Sequence, residues 1–533
     1  MPTNRDLRLE LEAKTGLSLP PGTEILDDHL EGIRKGKNVL LPVPANDPAD
    51  PLNWSKAWKA LAYFLALAYV FLECYPALVI SLFYAPLGME FNVGANKLSY
   101  LTGIMVLLLG VGNLLFIPFA ACHGRRTAMT VATLLCSASF SWQALAKSYG
   151  SMMGGRALNG LGACLIESIG PMVIEDLFFV HERGTMNGLY FGTLFASTGF
   201  GPFVASFFAQ YTSWRNFFWL SCATSMVLQI ALVFFPETKY HRTTSLVATA
   251  GDTSALATKV SGGDDSTKTT DLEATVQQAS YLGRGKPPRA AFGLWTPKRA
   301  EETYAWEFAT PFLLLQFPIC VWPSFLFMAA AVCPLFISII QAILYGAPPY
   351  SFSIVAVGAT NWVTVVGNLL GALAAGLASD YYMAWRAKRN SNVREAEHRL
   401  PVLIPFVLCL VLGLASLGIS ASRANAWPVP VIVATGLNAI GVTGTAVIAL
   451  AYGIDAYSAY AGQLLTLATI VKNVVAFGIA FGVVDWVIDW GWERAMGLWA
   501  GVMALIAVAG VPLYFYGKRL RELSATSKLM RDE

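Results

Sequence analysis

RALNGLGACLIESIGP, residues 156–171, is almost wholly small and apolar, yet it carries Arg156 and Glu167, eleven positions apart. On a regular helix that spacing returns to within about 20° of the starting face and advances about 16 Å along the axis. A charged side chain in mid-bilayer costs about 2.5–3.5 kcal/mol on insertion scales, so charges there face a cavity or a partner rather than lipid. Whether a bilayer is involved is decided by the rest of the chain.

Of 533 residues, 55% are hydrophobic and only 13% charged, with a mean hydropathy of +0.52. A soluble chain spends about a quarter of its residues on charge. The charges gather in residues 1–59, 237–307, 380–399 and 518–533. Between them run apolar stretches of about twenty residues, the length that crosses about 30 Å of hydrocarbon. The pattern predicts an all-α membrane protein with twelve transmembrane helices. They are expected near 57–80, 98–120, 127–145, 152–174, 188–210, 216–236, 322–344, 353–378, 401–421, 427–451, 462–484 and 495–517. Ahead of the seventh, Pro311 and Pro318 mark 308–320 as an interfacial lead-in, and Pro323 and Pro334 follow within the span.

Two six-helix blocks, 57–236 and 308–517, are expected on either side of a Ser/Thr/Gly/Asp-rich linker, 237–307, which has too little bulky apolar surface to fold alone. The tails are 1–56 and 518–533. With both ends in the cytoplasm, 30 of the 37 basic residues fall inside, as orientation by lysine and arginine requires. Only Lys97, Lys147, Arg215, Arg423 and Arg494 lie in outer loops, and Arg156 and Lys472 lie within spans. Trp486, Trp490 and Trp492 then form an outer interfacial belt. The sequon at Asn53 falls on the cytoplasmic side, and the polar first 56 residues do not read as a cleavable leader. The eight cysteines show no paired spacing, so no disulfide framework, metal site or cofactor is expected. Neither a Walker loop, a His-Glu-x-x-His nor a Gly-x-Ser-x-Gly is present, which argues against an ATP-driven pump or a membrane enzyme. Nothing points to nucleic acid, and the expected partners are lipid, protons and a small molecule, with the chain working as a monomer.

Motifs sharpen this reading. After the second span stands HGRRTAM, 123–129, and after the eighth GLASDYYMAWRAKRN, 376–390. Both resemble the loop signature of the major facilitator superfamily, Gly-x-x-x-Asp followed by a basic cluster. The first copy keeps Gly124, Arg125 and Arg126 but has Ala121 at the aspartate position; the second keeps Gly376 and Asp380, with Arg386, Lys388 and Arg389 displaced. In that family the aspartate and basic groups latch helix ends on the cytoplasmic side. Arg156-x-x-x-Gly160 resembles its fourth-span arginine motif, which is linked to proton coupling, and Gly201-Pro202 its antiporter motif, with Ala205 and Ser206 replacing the last glycines. DLFFVHERGTMNGLY at 176–190, SWRNFFW at 213–219, PETKYHR at 236–242, GIDAYSAYAG at 453–462 and VKNVVAFGIAFGVVDW at 471–486 resemble fungal twelve-span drug:proton antiporters, in particular the histidinol- and polyamine-transporter branch.

The resemblance implies the major facilitator fold and proton-coupled transport by alternating access, with export of a drug, toxin or metabolite as the leading expectation. Import of a polyamine-like cation is the alternative, and a nutrient sensor is disfavoured by the short C-terminal tail. Glu167 reads either as the proton carrier, tuned by Arg156, or as a fixed ion-pair residue. Glu73, Asn159, Asn361, Asn368, Asn438, Lys472 and Asn473 are candidate substrate contacts, Lys472 alternatively neutralising a carboxylate on another helix. Asp176 and Arg183 read as a gate or cap at the loop after the fourth span.

Overall fold

The computed structural model describes residues 23–25, 34–35, 38–39, 44–45, 47–240, 282–293, 295, 303–390, 393–457, 460–524 and 527. The middle of the expected disordered linker, 241–281, lies outside the described residues, as do most of 1–43 and 528–533.

Among the described residues, twelve helical crossings follow the expected order. In the first half they are span 1 (Lys56–Cys74), span 2 (Ala95–His123), span 3 (Arg125–Ala144), span 4 (Tyr149–Leu177), span 5 (Val180–Tyr211) and span 6 (Trp214–Ala231). In the second they are span 7 (Pro318–Gly346), span 8 (Ile354–Arg389), span 9 (Leu400–Ser422), span 10 (Thr435–Ala456, after a π-helical turn Val429–Ala434), span 11 (Ala461–Trp490) and span 12 (Trp492–Val508). Eleven of the crossings meet length and hydropathy criteria for a membrane span. The remaining one, span 3, has two arginines at its start and several Ser and Thr, but its 20 residues reach about 30 Å. Short helices occupy Tyr84–Phe91, Tyr304–Leu313 and Val511–Ser524, the second where the interfacial lead-in is expected.

Several boundaries depart from the sequence reading. Span 1 stops at Cys74, six residues early, because Pro76 cannot continue the helical bonding. Span 8 runs eleven residues beyond its expected end, as a continuous helix to Arg389. Spans 2 and 3 are separated by Gly124 alone, whose φ of +97° suits glycine. Two short antiparallel pairs accompany the helices: Thr23–Ile25 with Val393–Glu395, between spans 8 and 9, and Arg34–Lys35 with Asn38–Val39.

With six crossings in each half, the described residues before span 1, after span 6, before span 7 and after span 12 lie on one face, here termed the linker face. The described ends of the linker are ordered there. Trp54 bridges to Gly285, Ser55 N–H donates to the Gly285 carbonyl at 2.9 Å, and Arg126 Nη1 donates to the Gly293 carbonyl at 2.6 Å. On the opposite face Arg215 grips Glu90 and holds its carboxyl below the usual carboxylate range, while Trp214 Nε1 donates to the same carboxylate at 3.1 Å.

The halves meet along spans 5 and 8 and along spans 2 and 11. Lipid tails give apolar helices no hydrophobic reason to associate, so close approach of small residues does the joining. Gly184, Gly188 and Gly192 recur every four residues on span 5 and lie against Asp380, Gly376 and Ala372 of span 8. Gly103 and Gly110 of span 2 face Ala480 and Asn473 of span 11 in the same way.

Gly201 shows how little room such contacts leave, since an added Cβ would stand 1.7 Å from the Tyr75 carbonyl oxygen at the end of span 1. Gly201→Ala is therefore expected to lower stability by about 1–3 kcal/mol or more. Gly497→Ala, where nothing lies within 4 Å, is expected to be neutral or stabilising. Melting curves of the two variants in detergent check the contrast, and equal melting would contradict it.

Candidate functional site

Span 4 is not one regular helix. Tyr149–Gly162 is α-helical, Ala163–Glu167 tightens to a 3-10 turn, and the α-helix resumes at Ile169. Two features hold the break. Pro171 has no N–H for the Glu167 carbonyl, and Tyr190 Oη donates to the Ile166 carbonyl at 2.9 Å. Each 3-10 residue turns about 120° rather than 100°, so five of them rotate Glu167 about 100° further round the axis. Arg156 and Glu167 consequently do not share a face as a continuous helix would place them.

Arg156 is fully buried and bonds backbone carbonyls alone among the described residues: Nε donates to Leu101 at 3.3 Å, Nη1 to Pro76 at 3.2 Å and Nη2 to Ala77. Those carbonyls include two freed where span 1 stops, and the guanidinium takes them up. In this geometry Arg156 is a clasp joining spans 1, 2 and 4, and it bonds no carboxylate among the described residues. Gly160, one turn on, lies against the Met105 carbonyl of span 2, where an added Cβ would come within 2.2 Å.

Glu167 instead pairs with Lys472 of span 11, in the other half of the chain. Both are buried, at 7% and 8% exposure, and the second carboxylate oxygen, Oε2, has no partner among the described residues. The pair lies on the wall of a central cavity of about 60 Å³, lined on its apolar sides by Leu78, Met105, Leu109, Phe195 and Leu335. Asn473 also lines it, with neither amide atom bonded. A second, smaller cavity of about 20 Å³ holds Asn361, Asn368 and Asn438. Thr198 and Pro334 line both cavities. Pro202 lacks the N–H that would otherwise bond the Thr198 carbonyl, so the proline loosens span 5 where the two cavities meet.

The asparagines are not equivalent. Asn368 Nδ2 donates to the Phe195 carbonyl at 2.8 Å and its Oδ1 accepts from Thr443 at 2.9 Å, which ties spans 5, 8 and 10 together. Asn361 bonds carbonyls of its own helix, at Val357 and Gly358. Asn438 keeps an unbonded Nδ2. Asn159 is outside both cavities, its Nδ2 on Cys136 Sγ at 3.9 Å.

Glu73 likewise lines neither cavity. It is buried inside the first half, where Oε1 accepts from Ser225 of span 6 at 2.7 Å and Ser225 in turn accepts from Ser137 of span 3 at 2.9 Å. No cation bonds it among the described residues. Because its bonded partner is a neutral hydroxyl, Glu73→Gln is expected to change stability by less than about 1 kcal/mol. Transport should then change only a few-fold. Glu73→Gln with normal melting but no flux would contradict this placement.

Both ends of the cavity are closed by bonds between the halves. On the opposite face Ser99 Oγ donates to the Ala480 carbonyl and Ser338 Oγ to the Leu78 carbonyl, both at 2.8 Å. On the linker face Thr185 Oγ1 donates to Asp380 Oδ2 at 2.7 Å. Gly376-x-x-x-Asp380 thus clasps the start of span 5, and Arg386, Lys388 and Arg389 form no ion pair with it among the described residues. Arg125 pairs with Asp176 at 3.1 Å. Glu237 accepts from the backbone N–H groups of Arg125 and Arg126 at 2.9 and 3.1 Å, capping span 3 where Ala121 offers no carboxylate. Arg183 turns back on Glu175, donating to its carbonyl at 3.0 Å. Glu237, Thr185 and the Arg399–Asp455 pair at 2.6 Å were not singled out from sequence. PETKY at 236–240, one loop from a bare helix start, is the signal that could have marked Glu237.

A family model described as Major Facilitator Superfamily matches residues 60–480. The chain belongs to this superfamily. Protein HOL1 of Saccharomyces cerevisiae is 26% identical over 545 residues, covering 91% of this chain and 90% of its own. MFS-type transporter penM of Penicillium rubens is 26% identical over 522 residues, covering 95% and 94%. Efflux pump vrtL of Penicillium aethiopicum is 22% identical over 483 residues, covering 90% and 89%. Among solved structures, the proton:xylose symporter XylE bound to 6-bromo-6-deoxy-D-glucose has a TM-score of 0.59 at 15% identity, over 86% of this chain and 97% of that one. The human organic anion transporter MFSD10 has a TM-score of 0.52 at 13% identity, over 84% and 99%. Those likenesses are of fold. The chain is a multi-pass membrane transporter, not an enzyme.

Proposed function

We propose that this transporter couples proton movement to the passage of a small organic molecule by alternating access, and that it exports its substrate. The observation that carries the reading is the Glu167–Lys472 pair, one member from each half, on the wall of the central cavity. A proton on Glu167 removes the charge that attracts Lys472, so protonation loosens the contact between halves and deprotonation restores it. A cationic group on the substrate can displace the ammonium as counter-charge. Proton and substrate then compete for one carboxylate, and exchange follows from that competition.

The lining supports a substrate class. Leu78, Met105 and Phe195 offer apolar surface, while Glu167 Oε2, Asn473 and Asn438 offer unmet acceptors and donors. This combination suits an amphipathic molecule bearing a cationic or hydrogen-bonding group. At about 60 Å³ the cavity holds a few waters, so the halves must part to admit the substrate. The linker face is the cytoplasmic one, by its share of lysine and arginine, and the membrane is the plasma membrane. One copy suffices, because the cavity is complete within one chain.

Import of a polyamine-like cation is a second reading, favoured by Lys472 itself. A carrier that neutralises its own acid internally can close with neither proton nor substrate bound, as a symporter's return step requires. Intracellular levels of a panel of metabolites and toxic compounds, in cells lacking or overproducing the protein, test both. Export expects lower levels in producing cells, a difference that collapses with a protonophore. Raised levels would favour import, and a difference that survives the protonophore would contradict proton coupling.

A further inference from the structure

A groove of about 510 Å³ lies on the outside of the second half, away from the central cavity. Spans 9 and 12 form its walls, and Val511, Tyr514 and Phe515 of the following short helix extend it toward the linker face. No charged side chain lines it. Its floor is Trp322, anchored by Nε1 to the Ile506 carbonyl at 2.8 Å, and Gly510 lets the chain cross that ring, since a Cβ there would stand 2.0 Å from it. Ile404 and Phe515 on its rim are 60% and 71% exposed, so the groove opens to the hydrocarbon.

The mouth differs in chemistry from the walls. One helical turn beyond Tyr382 stands Arg386, and one turn beyond Tyr514 and Phe515 stand Lys518 and Arg519. The nearby acids are engaged: Glu395 takes Lys518 at 3.2 Å, and Glu397 takes Arg521. Among the described residues Arg386 and Arg519 have no acidic partner. An apolar trough therefore ends in surplus positive charge at the level of the headgroups.

We propose that this groove binds an anionic glycerophospholipid from the linker-face leaflet, with an acyl chain along spans 9 and 12 and the phosphate against Arg386 and Arg519. Tail and headgroup each meet matching chemistry, and the two arginines give the preference over zwitterionic lipid. Val511-x-x-Tyr514-x-x-x-Lys518 also fits a loose pattern proposed for sterol contact, but a neutral sterol makes no use of the basic mouth.

The full-length chain in nanodiscs of phosphatidylcholine, alone or with phosphatidylserine or sterol, released into native mass spectrometry, tests the proposal. Phosphatidylserine is expected to be retained about tenfold over phosphatidylcholine. The preference should disappear in Arg386→Gln/Arg519→Gln, while Val508→Trp, which fills the groove from an exposed position, should remove the retained lipid. Val508 is 64% exposed, so folding is undisturbed. Equal retention of the two phospholipids, an unchanged preference in the double variant, or retention of sterol alone would overturn it.

Discussion

Glu167→Gln is expected to abolish proton-driven transport while the protein still inserts and assembles. Removing one partner of a buried ion pair costs about 3–5 kcal/mol, because the other charge is left without compensation. That corresponds to about 100-fold or more in any equilibrium the bridge controls. In Glu167→Gln the uncompensated charge is the Lys472 ammonium, facing an apolar wall. The single variant should therefore melt lower than the parent. Glu167→Gln/Lys472→Met removes both charges together and should recover most of the lost stability, yet none of the proton-driven flux. Melting curves and gradient-driven flux on the three proteins separate the structural role of the pair from its coupling role. Unchanged flux in Glu167→Gln would remove the glutamate from the mechanism, and flux restored along with stability would make the pair a mere fastener.

Arg156→Ala is expected to damage the fold rather than the pH dependence. The guanidinium satisfies three backbone carbonyls at a fully buried position, and each buried acceptor left unpaired costs about 1–3 kcal/mol. A loss of about 3–9 kcal/mol is comparable to the whole stability of many proteins, so folded yield should fall steeply. Arg156→Lys keeps the charge but loses the planar fork, and should fall between. Yield and melting of both variants measure this. Had Arg156 tuned Glu167 directly, Arg156→Ala would melt normally and shift only the pH profile of transport; that outcome would contradict the clasp.

The arrangement of spans was legible because lipid imposes a simple demand on sequence: about twenty apolar residues for each crossing, with charge excluded. What lipid does not dictate was harder to read. Glu167 and Lys472 each stood out as charges in apolar helices, but 305 positions separate them, and their meeting depends on how spans 4 and 11 are turned by two different bundles. The shared face of Arg156 and Glu167 was an extrapolation of α-helical geometry through Ala163–Glu167, where the helix tightens. Glu73 reads from sequence as a candidate substrate contact, and the partner that the fold gives it is the hydroxyl of Ser225, 152 positions away. Thr133, Cys136 and Ser137 on span 3, and Ser221 and Ser225 on span 6, are polar residues at helical spacing that could have pointed inward to it. The Gly184, Gly188, Gly192 stripe was equally readable, and it joins the halves.

The central claim is that the state of charge on Glu167 decides whether the halves hold together. Distances between spin labels at Lys97 and Asp489, exposed on the opposite face of spans 2 and 11, report this without knowledge of the substrate. Glu167→Gln, in which the bridge is discharged, should shift the distance distribution away from that of the parent protein at the same pH. Glu167→Asp, which keeps the negative charge, should stay near the parent distribution. An unchanged distribution in Glu167→Gln would contradict the account.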